Sequence, residues 1–314
     1  MNSGHLIITG ATGHIGSRLI RDWSELFPST RLVMVDNMST QRYASLFNLP
    51  TGNLRFVEGC VREVNWPSLL DGARAVVHLA ALTDAAGSIE NAAEVKAVNL
   101  GGTECVARAC ALAGVPLLFP SSTSVYGTQE KEVDENCSAE SLQPQSPYAE
   151  TKLEEEALLG RLQSEVGLRF VVLRLGTIFG VSPGMRFHTA VNKFCWQAAH
   201  GRSLSVWRTA YEQQRPYLDL VDAVRAMGFV VERDLFNGDI FNVLTTNSTV
   251  REIVSMIQAV IPGTEISFVD NKIMNQLSYE VANRKFCDLG FEFKGRLEIG
   301  IQETLQWLRG GNAA

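Results

Sequence analysis

The stretch "ITGATGHIGSRLI", residues 8–20, decides the fold. It joins a short apolar run to an amphipathic one through Gly10, Gly13 and Gly16. The spacing is G-x-x-G-x-x-G rather than the commoner G-x-G-x-x-G, but the physical demands are alike. Gly10 permits a tight turn, Gly13 lets the backbone approach a pyrophosphate, and Gly16 lets the helix pack against the strand. Free N–H groups around Thr12, His14 and Ile15, at the helix start, then face the anion.

Working outward, "HLIITG", "RLVMVD", "NLRFVEG", "RAVVHLAA", "VPLLFPSS" and "LRFVVLRLG" read as strands. Each is short and apolar, as expected of strands covered on both faces. Between several of them lie helical patterns at residues 14–26, 91–113 and 147–166, the last opened by Ser146-Pro147, a cap followed by a first-turn proline. Strand–helix alternation predicts an α/β fold, a doubly wound parallel sheet of the Rossmann type. After residue 176 the rhythm breaks, with "GVSPGMRFH" loop-like, "SLSVW" and "DIFNVL" as strands, and "VDAVRAMGFVVE" and "TVREIVSMIQAV" as helices. The reading is a dinucleotide-binding domain over 1–175 and a smaller substrate-binding lobe over 176–314, with 219–243 returning to the first.

The second strand ends in Asp36, 20 residues beyond Gly16, where a carboxylate would accept hydrogen bonds from the adenosine ribose. That carboxylate would repel a 2′-phosphate, and Asn37 adds no positive charge, so the cofactor reading is NAD rather than NADP. Ser39 follows on the same turn.

"SPYAETKLEEE", residues 146–156, places Tyr148 and Lys152 four apart on one helix face. A Tyr-x-x-x-Lys pair alone is common on solvated helices. Here it follows the serine-rich strand end "FPSSTSVYG", and strand C-termini line the ligand crevice of such a sheet. Glu154, Glu155 and Glu156 read mainly as the solvated side of the helix.

With these pieces the chain resembles the extended short-chain dehydrogenase/reductase superfamily, in its nucleotide-sugar epimerase/dehydratase branch. The resemblance runs through "TGATGHIG", "VDN", "VVHLAA", "VNLGGT", "SSTSVYG", "SPYAETK", "LRLGTIFG", "RPYLDLVDAVRA" and the tail "LGFEFKGRLEIGIQETLQWL". It implies that Tyr148 is the acid/base, Lys152 its electrostatic partner and a ligand of the cofactor ribose, and Ser122 a donor to the reacting oxygen. Leu79, Ala80 and Ala81 would line the cofactor, and Asn99 would support the site at a helix irregularity. A nearby ammonium and a positive nicotinamide both favour phenolate. Lowering a tyrosine from about 10 to about 7 takes roughly 4 kcal/mol of differential interaction.

Departures from the branch pattern narrow the chemistry. Dehydratase members usually carry Thr-Asp-Glu where this chain has Ser122-Thr123-Ser124, so a 4,6-dehydratase is disfavoured. Cys60 stands where an aspartate usually meets adenine, which leaves that contact to backbone groups and Val61. Thr83 and Thr177 stand where epimerases often have lysine and asparagine, and Ser124 completes the substrate side. Arg186, Asn192 and Arg215 are candidates for the substrate diphosphate, since an arginine fork matches phosphate oxygens, and the resemblance puts Arg215 first, at the position of a phosphate-binding arginine in the branch. Arg186 equally reads as a surface or ion-paired residue. His188 reads as a loop or helix-start histidine, with a second acid/base role as the alternative.

Composition excludes other classes. The 314 residues carry a net charge of −6 with no basic block, which disfavours nucleic-acid and membrane-surface binding. No apolar run approaches the ~20 residues of a membrane span. The six cysteines lack zinc spacing and read as reduced thiols, most of them small buried hydrophobes, in a cytoplasmic protein without a metal. The function expected is an NAD-dependent nucleotide-sugar epimerase acting through a 4-keto sugar. A nucleotide-sugar 4-dehydrogenase or a non-catalytic NAD sensor are the alternatives. Apolar faces on 91–113 and 147–166, with the resemblance, imply a homodimer.

Overall fold

The structure is a computed structural model that describes residues 4–50, 53–83, 87–127, 132–138, 142–270 and 278–310. The chain opens with β1 (His5–Thr9), the glycine turn and α1 (His14–Leu26), then β2 (Leu32–Asp36) and β3 (Leu54–Glu58). The short α2 (Trp66–Leu70) starts where the Asn65 side chain accepts from Ser68 N. After β4 (Ala73–His78) comes α3 (Ala92–Ala113), which stops at Gly114 in the left-handed region (φ 67°). β5 (Leu117–Ser122) and β6 (Glu132–Val133) precede α4 (Pro147–Val166). Ser146 Oγ accepts from Ala149 N at the start of α4, and Pro147 occupies its first turn. β7 (Phe170–Leu175) completes this half.

Seven parallel strands form the main sheet, in the order β11-β7-β5-β4-β1-β2-β3, with β11 spanning Ile240–Val243. The order reverses between β1 and β4. This switch point opens a crevice at their C-terminal ends, and Gly10 lies in it. On one face Leu19, Ile20 and Trp23 of α1 pack with Met227 and Val230 against Leu6, Ile8 and Leu173. On the other, Val106 and Cys110 of α3 and Leu158 and Leu162 of α4 cover Ile7, Val76 and Phe119. Each such buried side chain contributes about 1.5–3 kcal/mol of transfer free energy.

The remaining elements are β8 (Thr177–Phe179), α5 (Ala190–Ala199), β9 (Leu204–Trp207), β10 (Gln214–Asp219) and α6 (Leu220–Arg233), followed beyond β11 by β12 (Thr246–Thr249), α7 (Val250–Val260), β13 (Ile266–Val269), β14 (Glu280–Val281), α8 (Arg284–Cys287) and α9 (Leu297–Leu308). β8, β10 and β12 form a small sheet, and a separate core joins Phe194 of α5, Ile253 and Ile257 of α7, and Ile301 and Leu305 of α9. α6 and β11 go back to the main sheet: Trp23 Nε1 of α1 donates to Val224 O, and Ile240 registers with Val172.

Three local expectations are corrected. Among the described residues β3 is an edge strand with no partner beyond it, and none of its side chains is fully buried. α3 runs unbroken through Asn99, with no helix irregularity there. Of the six free cysteines only Cys110 and Cys195 are buried. Among the described residues no helix is long and apolar enough to cross a membrane.

Candidate active site

The glycine turn is shaped by close backbone contacts. Gly10 has φ +65°, and a Cβ there would lie 2.6 Å from Ala80 N. A Cβ on Gly16 would collide with the carbonyl oxygen of Gly10 and lie 2.8 Å from Ala11 Cα. Gly13 is the N-cap of α1, so no side chain occupies the first N–H groups, and the first turn holds no acidic residue. The N–H groups of the helix start are therefore offered to an anion. Across this turn lies the segment after β8: Ser182 Oγ donates to His14 O (2.8 Å), and Gly184 N donates to Ser17 Oγ (2.9 Å). His14 Nε2 lies 2.8 Å from Gly180 O, and burial pulls its imidazole down to about 4, with the Arg186 and Arg42 charges adding to the effect. His14 is thus a neutral strut between the turn and the 180–184 segment, and the sequence alone gave no sign of that second role.

Asp36 ends β2 in a nearly buried position. Its Oδ2 accepts from Thr12 N (3.0 Å) and Thr12 Oγ1 (2.8 Å), and its Oδ1 from Met38 N (2.9 Å). A carboxylate offers about four lone-pair sites, so acceptor capacity remains for a ribose. Asn37 Oδ1 accepts from Ser39 N, and both residues are exposed beside Asp36. Cys60 and Val61 follow β3; Val61 O accepts from Trp66 Nε1, and its side chain lies against Gly102 of α3. Leu79 and Ala80 bind back to Thr9, through Leu79 N to Thr9 O and Ala80 N to Thr9 Oγ1. Ala81 and Thr83 continue this strand end, half-buried. Asn99 clasps the same segment, with Oδ1 accepting from Leu82 N (2.8 Å) and Nδ2 donating to Leu82 O (2.9 Å).

The hydroxyl cluster lies across the crevice, at the end of β5. Ser122 Oγ accepts from Ser124 N (3.1 Å) and from Ser124 Oγ (2.9 Å). With both lone pairs engaged, the Ser122 proton is free to donate, and Ser122 is near enough to Tyr148 to favour the ionised phenol. Burial pushes the Tyr148 phenol above its ordinary value; Lys152, Arg186 and Ser122 pull it down, and Glu155 pushes it up. Without a further positive charge, the phenol stays protonated at neutral pH. Thr123 is turned away: its hydroxyl donates to Leu175 O (3.2 Å).

Lys152 is enclosed. Its Nζ lies 4.4 Å from the centre of the Phe119 ring and 3.0 Å from Glu155 Oε2. Burial works against its charge, but Glu155, with Tyr148 and Glu156, outweighs that and holds the ammonium above its usual value. His78 lies on β4 under Phe119, pulled down to about 3 by burial and by Lys152.

The acidic run is not solvated as expected. Only Glu154 is on the surface side, paired with Lys96. Glu155 accepts from Thr103 Oγ1 of α3 (2.5 Å). Glu156 grips Arg174 of β7 with two bonds, Nη2–Oε2 2.7 Å and Nε–Oε1 3.1 Å, and accepts from Ser121 Oγ (2.5 Å). Arg174 Nη1 donates to Tyr126 OH (2.9 Å), which donates to Asn242 Oδ1 of β11 (2.8 Å). This buried chain joins α4, β5, β7 and β11.

The substrate candidates divide. Arg186 is half-buried, and its charge reaches both Tyr148 and His14, so it stands between the tyrosine and the glycine turn. His188 is exposed near it. Asn192 is completely buried in α5 and donates to Arg186 O (2.9 Å), so it supports that loop from behind. Thr177 begins β8 opposite Tyr217. Arg215 lies on β10, donating to Gln213 Oε1 (2.7 Å) and stacked 5.5 Å from the Tyr279 ring centre.

Over residues 6–243 the chain matches the family described as the NAD dependent epimerase/dehydratase family. It is 28% identical to a trifunctional UDP-glucose 4,6-dehydratase/UDP-4-keto-6-deoxy-D-glucose 3,5-epimerase/UDP-4-keto-L-rhamnose-reductase of Arabidopsis thaliana, over 96% of this chain and 46% of that protein, so it spans about half the length of that relative. It is 26% identical to the UDP-glucose 4-epimerase of Streptomyces lividans, over 80% of this chain and 81% of that protein. Among solved structures, MoeE5 in complex with UDP-glucose and NAD superposes with a TM-score of 0.85 at 27% identity, covering 98% of this chain and 99% of that one.

Proposed function

The chain belongs to the NAD-dependent epimerase/dehydratase family, and on that premise we propose that it is a nucleotide-sugar 4-epimerase working through a transient 4-keto sugar. One observation carries the choice between reaction types. Beside the Tyr148–Ser122 pair stand Thr123, bonded to Leu175 O, and Ser124, bonded to Ser122. Neither offers a carboxylate for the acid/base work of eliminating water. Dehydratase activity does occur among the relatives, so the assignment rests on these side chains.

The glycine turn fits a dinucleotide: an uncapped helix start without acidic residues for the pyrophosphate, and Asp36 with spare acceptor capacity for the ribose. When bound, NAD supplies the hydride acceptor and a positive ring beside the phenol. Tyr148 as phenolate takes the proton from the sugar 4-hydroxyl, and Ser122 donates a hydrogen bond to the same oxygen. Lys152 pulls the phenol toward its ionised form and is the candidate ligand of the cofactor ribose. Arg186 is the first candidate for the substrate diphosphate and Arg215 the second. Once the keto sugar has turned its other face, Tyr148 returns the proton. A homodimer through α3 and α4 and a cytoplasmic place in carbohydrate biosynthesis belong to the same reading.

The test is to incubate the purified protein with UDP-glucose and follow the sugar by proton NMR and the cofactor by absorbance. Conversion to the 4-epimer without net NADH, lost in Tyr148→Phe, is expected. A 4-keto-6-deoxy product, or stoichiometric NADH, sinks the epimerase assignment.

A further inference from the structure

The glutamate behind the catalytic lysine is buried, charged and braced. Glu155 is 1% exposed. Its Oε1 takes the Thr103 hydroxyl at 2.5 Å, and its Oε2 faces Lys152 Nζ at 3.0 Å, off the hydrogen-bond axis and with no other partner. A carboxylate placed there needs explaining, because burying a charge is costly unless it is paired. Its pairing is with Lys152, the larger of the two positive charges that pull on Tyr148.

We propose that Glu155, braced by Thr103, is a positioning residue for the acid/base pair: it fixes the Lys152 ammonium behind Tyr148 and sets the pH at which the phenol ionises. This rests on the reading of Tyr148 as the acid/base. The charge inventory around the pair is short. Tyr148 is faced by Lys152 and Glu155 from α4, by Ser122 from β5 and by Arg186 from the segment after β8. Lys152 is faced by Glu155, Tyr148 and Glu156 from α4 and by neutral His78 from β4. Glu156 is already matched by Arg174. Glu155 is therefore the negative charge that answers Lys152 directly. It acts with two signs. It holds the lysine in place, while Tyr148 and Glu156 also favour the lysine's charge, and it cancels part of the lysine's help to the phenol. The phenol then ionises at a higher pH than Lys152 alone would give, and it is correspondingly the stronger base.

The experiment reads Tyr148 without turnover. The protein contains six tyrosines; with Cζ-labelled tyrosine, Tyr148→Phe identifies the Tyr148 resonance, which is then titrated in the NAD complex. Glu155→Gln keeps the size and the Thr103 bond but removes the charge. Its midpoint is expected to fall by roughly half to one pH unit, and the low-pH limb of kcat to move with it. Thr103→Val keeps the charge but removes the donor that disperses it, so its midpoint is expected to rise by a smaller amount. A purely structural role would lower stability in both variants without opposite shifts. Midpoints that stay put, or move the same way, overturn the proposal. If Glu155→Gln fails to fold, the Thr103→Val midpoint decides alone, a rise supporting the proposal and no rise overturning it. Turnover surviving in Tyr148→Phe would instead overturn the acid/base reading itself, a result separable from a fixed midpoint beside an inactive Tyr148→Phe.

Discussion

Replacing Arg174 with methionine tests whether the buried chain behind α4 holds that helix to the sheet. Arg174 is 3% exposed and binds Glu156 at 2.7 and 3.1 Å. Methionine keeps much of the apolar stem but leaves Glu156 with only the Ser121 hydroxyl, in a buried position. Breaking one side of such a pair costs about 3–5 kcal/mol. At about 2 °C per kcal/mol for a chain of this size, Tm should fall by about 6–10 °C. Urea unfolding followed by the fluorescence of the five tryptophans measures the loss. The double variant Arg174→Met/Glu156→Leu should recover at least half of it, since no charge is then stranded. Ser121 precedes Ser122, and Glu156 lies one turn beyond Lys152, so kcat should drop about tenfold in the single variant through misplacement of the site. A single variant that loses less than about 1 kcal/mol, or a double that loses the full sum of the singles, refutes the coupling.

Two further outcomes follow from the geometry. Gly16→Ala drives a methyl into the Gly10 and Ala11 backbone, which cannot yield as a side chain could; NAD affinity by calorimetry should fall at least about tenfold with an unchanged far-ultraviolet spectrum, and undiminished affinity would reject the steric account. Asp219 is held up at about 6, chiefly by burial, with Asp222 and Glu303 adding to it. The unfolded chain releases that proton near pH 4 and the folded one near 6, so stability should decline across that window by on the order of 2–3 kcal/mol. Asp219→Asn keeps the acceptor for Val221 N and should flatten the decline; an unaltered curve refutes it.

What was legible in the sequence was what local physics determines. Ser146-Pro147 marks the first turn of α4, and short apolar runs mark strands because the helices cover them. The glycine turn and Asp36 could be placed because a strand, a turn and a helix fix them within a few residues. The acidic run at 154–156 misled because three consecutive acids look solvated, yet a helix turns about 100° per residue and sends them to different sides. The partners that draw Glu155 and Glu156 inward are Thr103, 52 residues away, and Arg174, 18 residues away, and no local pattern reveals them. The bond from Asn192 of α5 to Arg186 O was likewise invisible, because only the packed loop brings the two together. β3 failed the both-faces expectation because only the sheet order reveals an edge.

The position of β11 has a consequence for how the protein is made. β11 lies beside β7 at one end of the sheet, yet about 65 residues of chain, β8 through α6, are synthesised between them. A ribosome that has just released β7 exposes a strand edge whose natural partner has not been translated. Until Val243 emerges, that edge is open to pairing with a neighbouring nascent chain. Stalled or truncated products ending in the 180–235 region should therefore be the aggregating species during expression, whereas chains extending past β11 have the sheet sealed at that side.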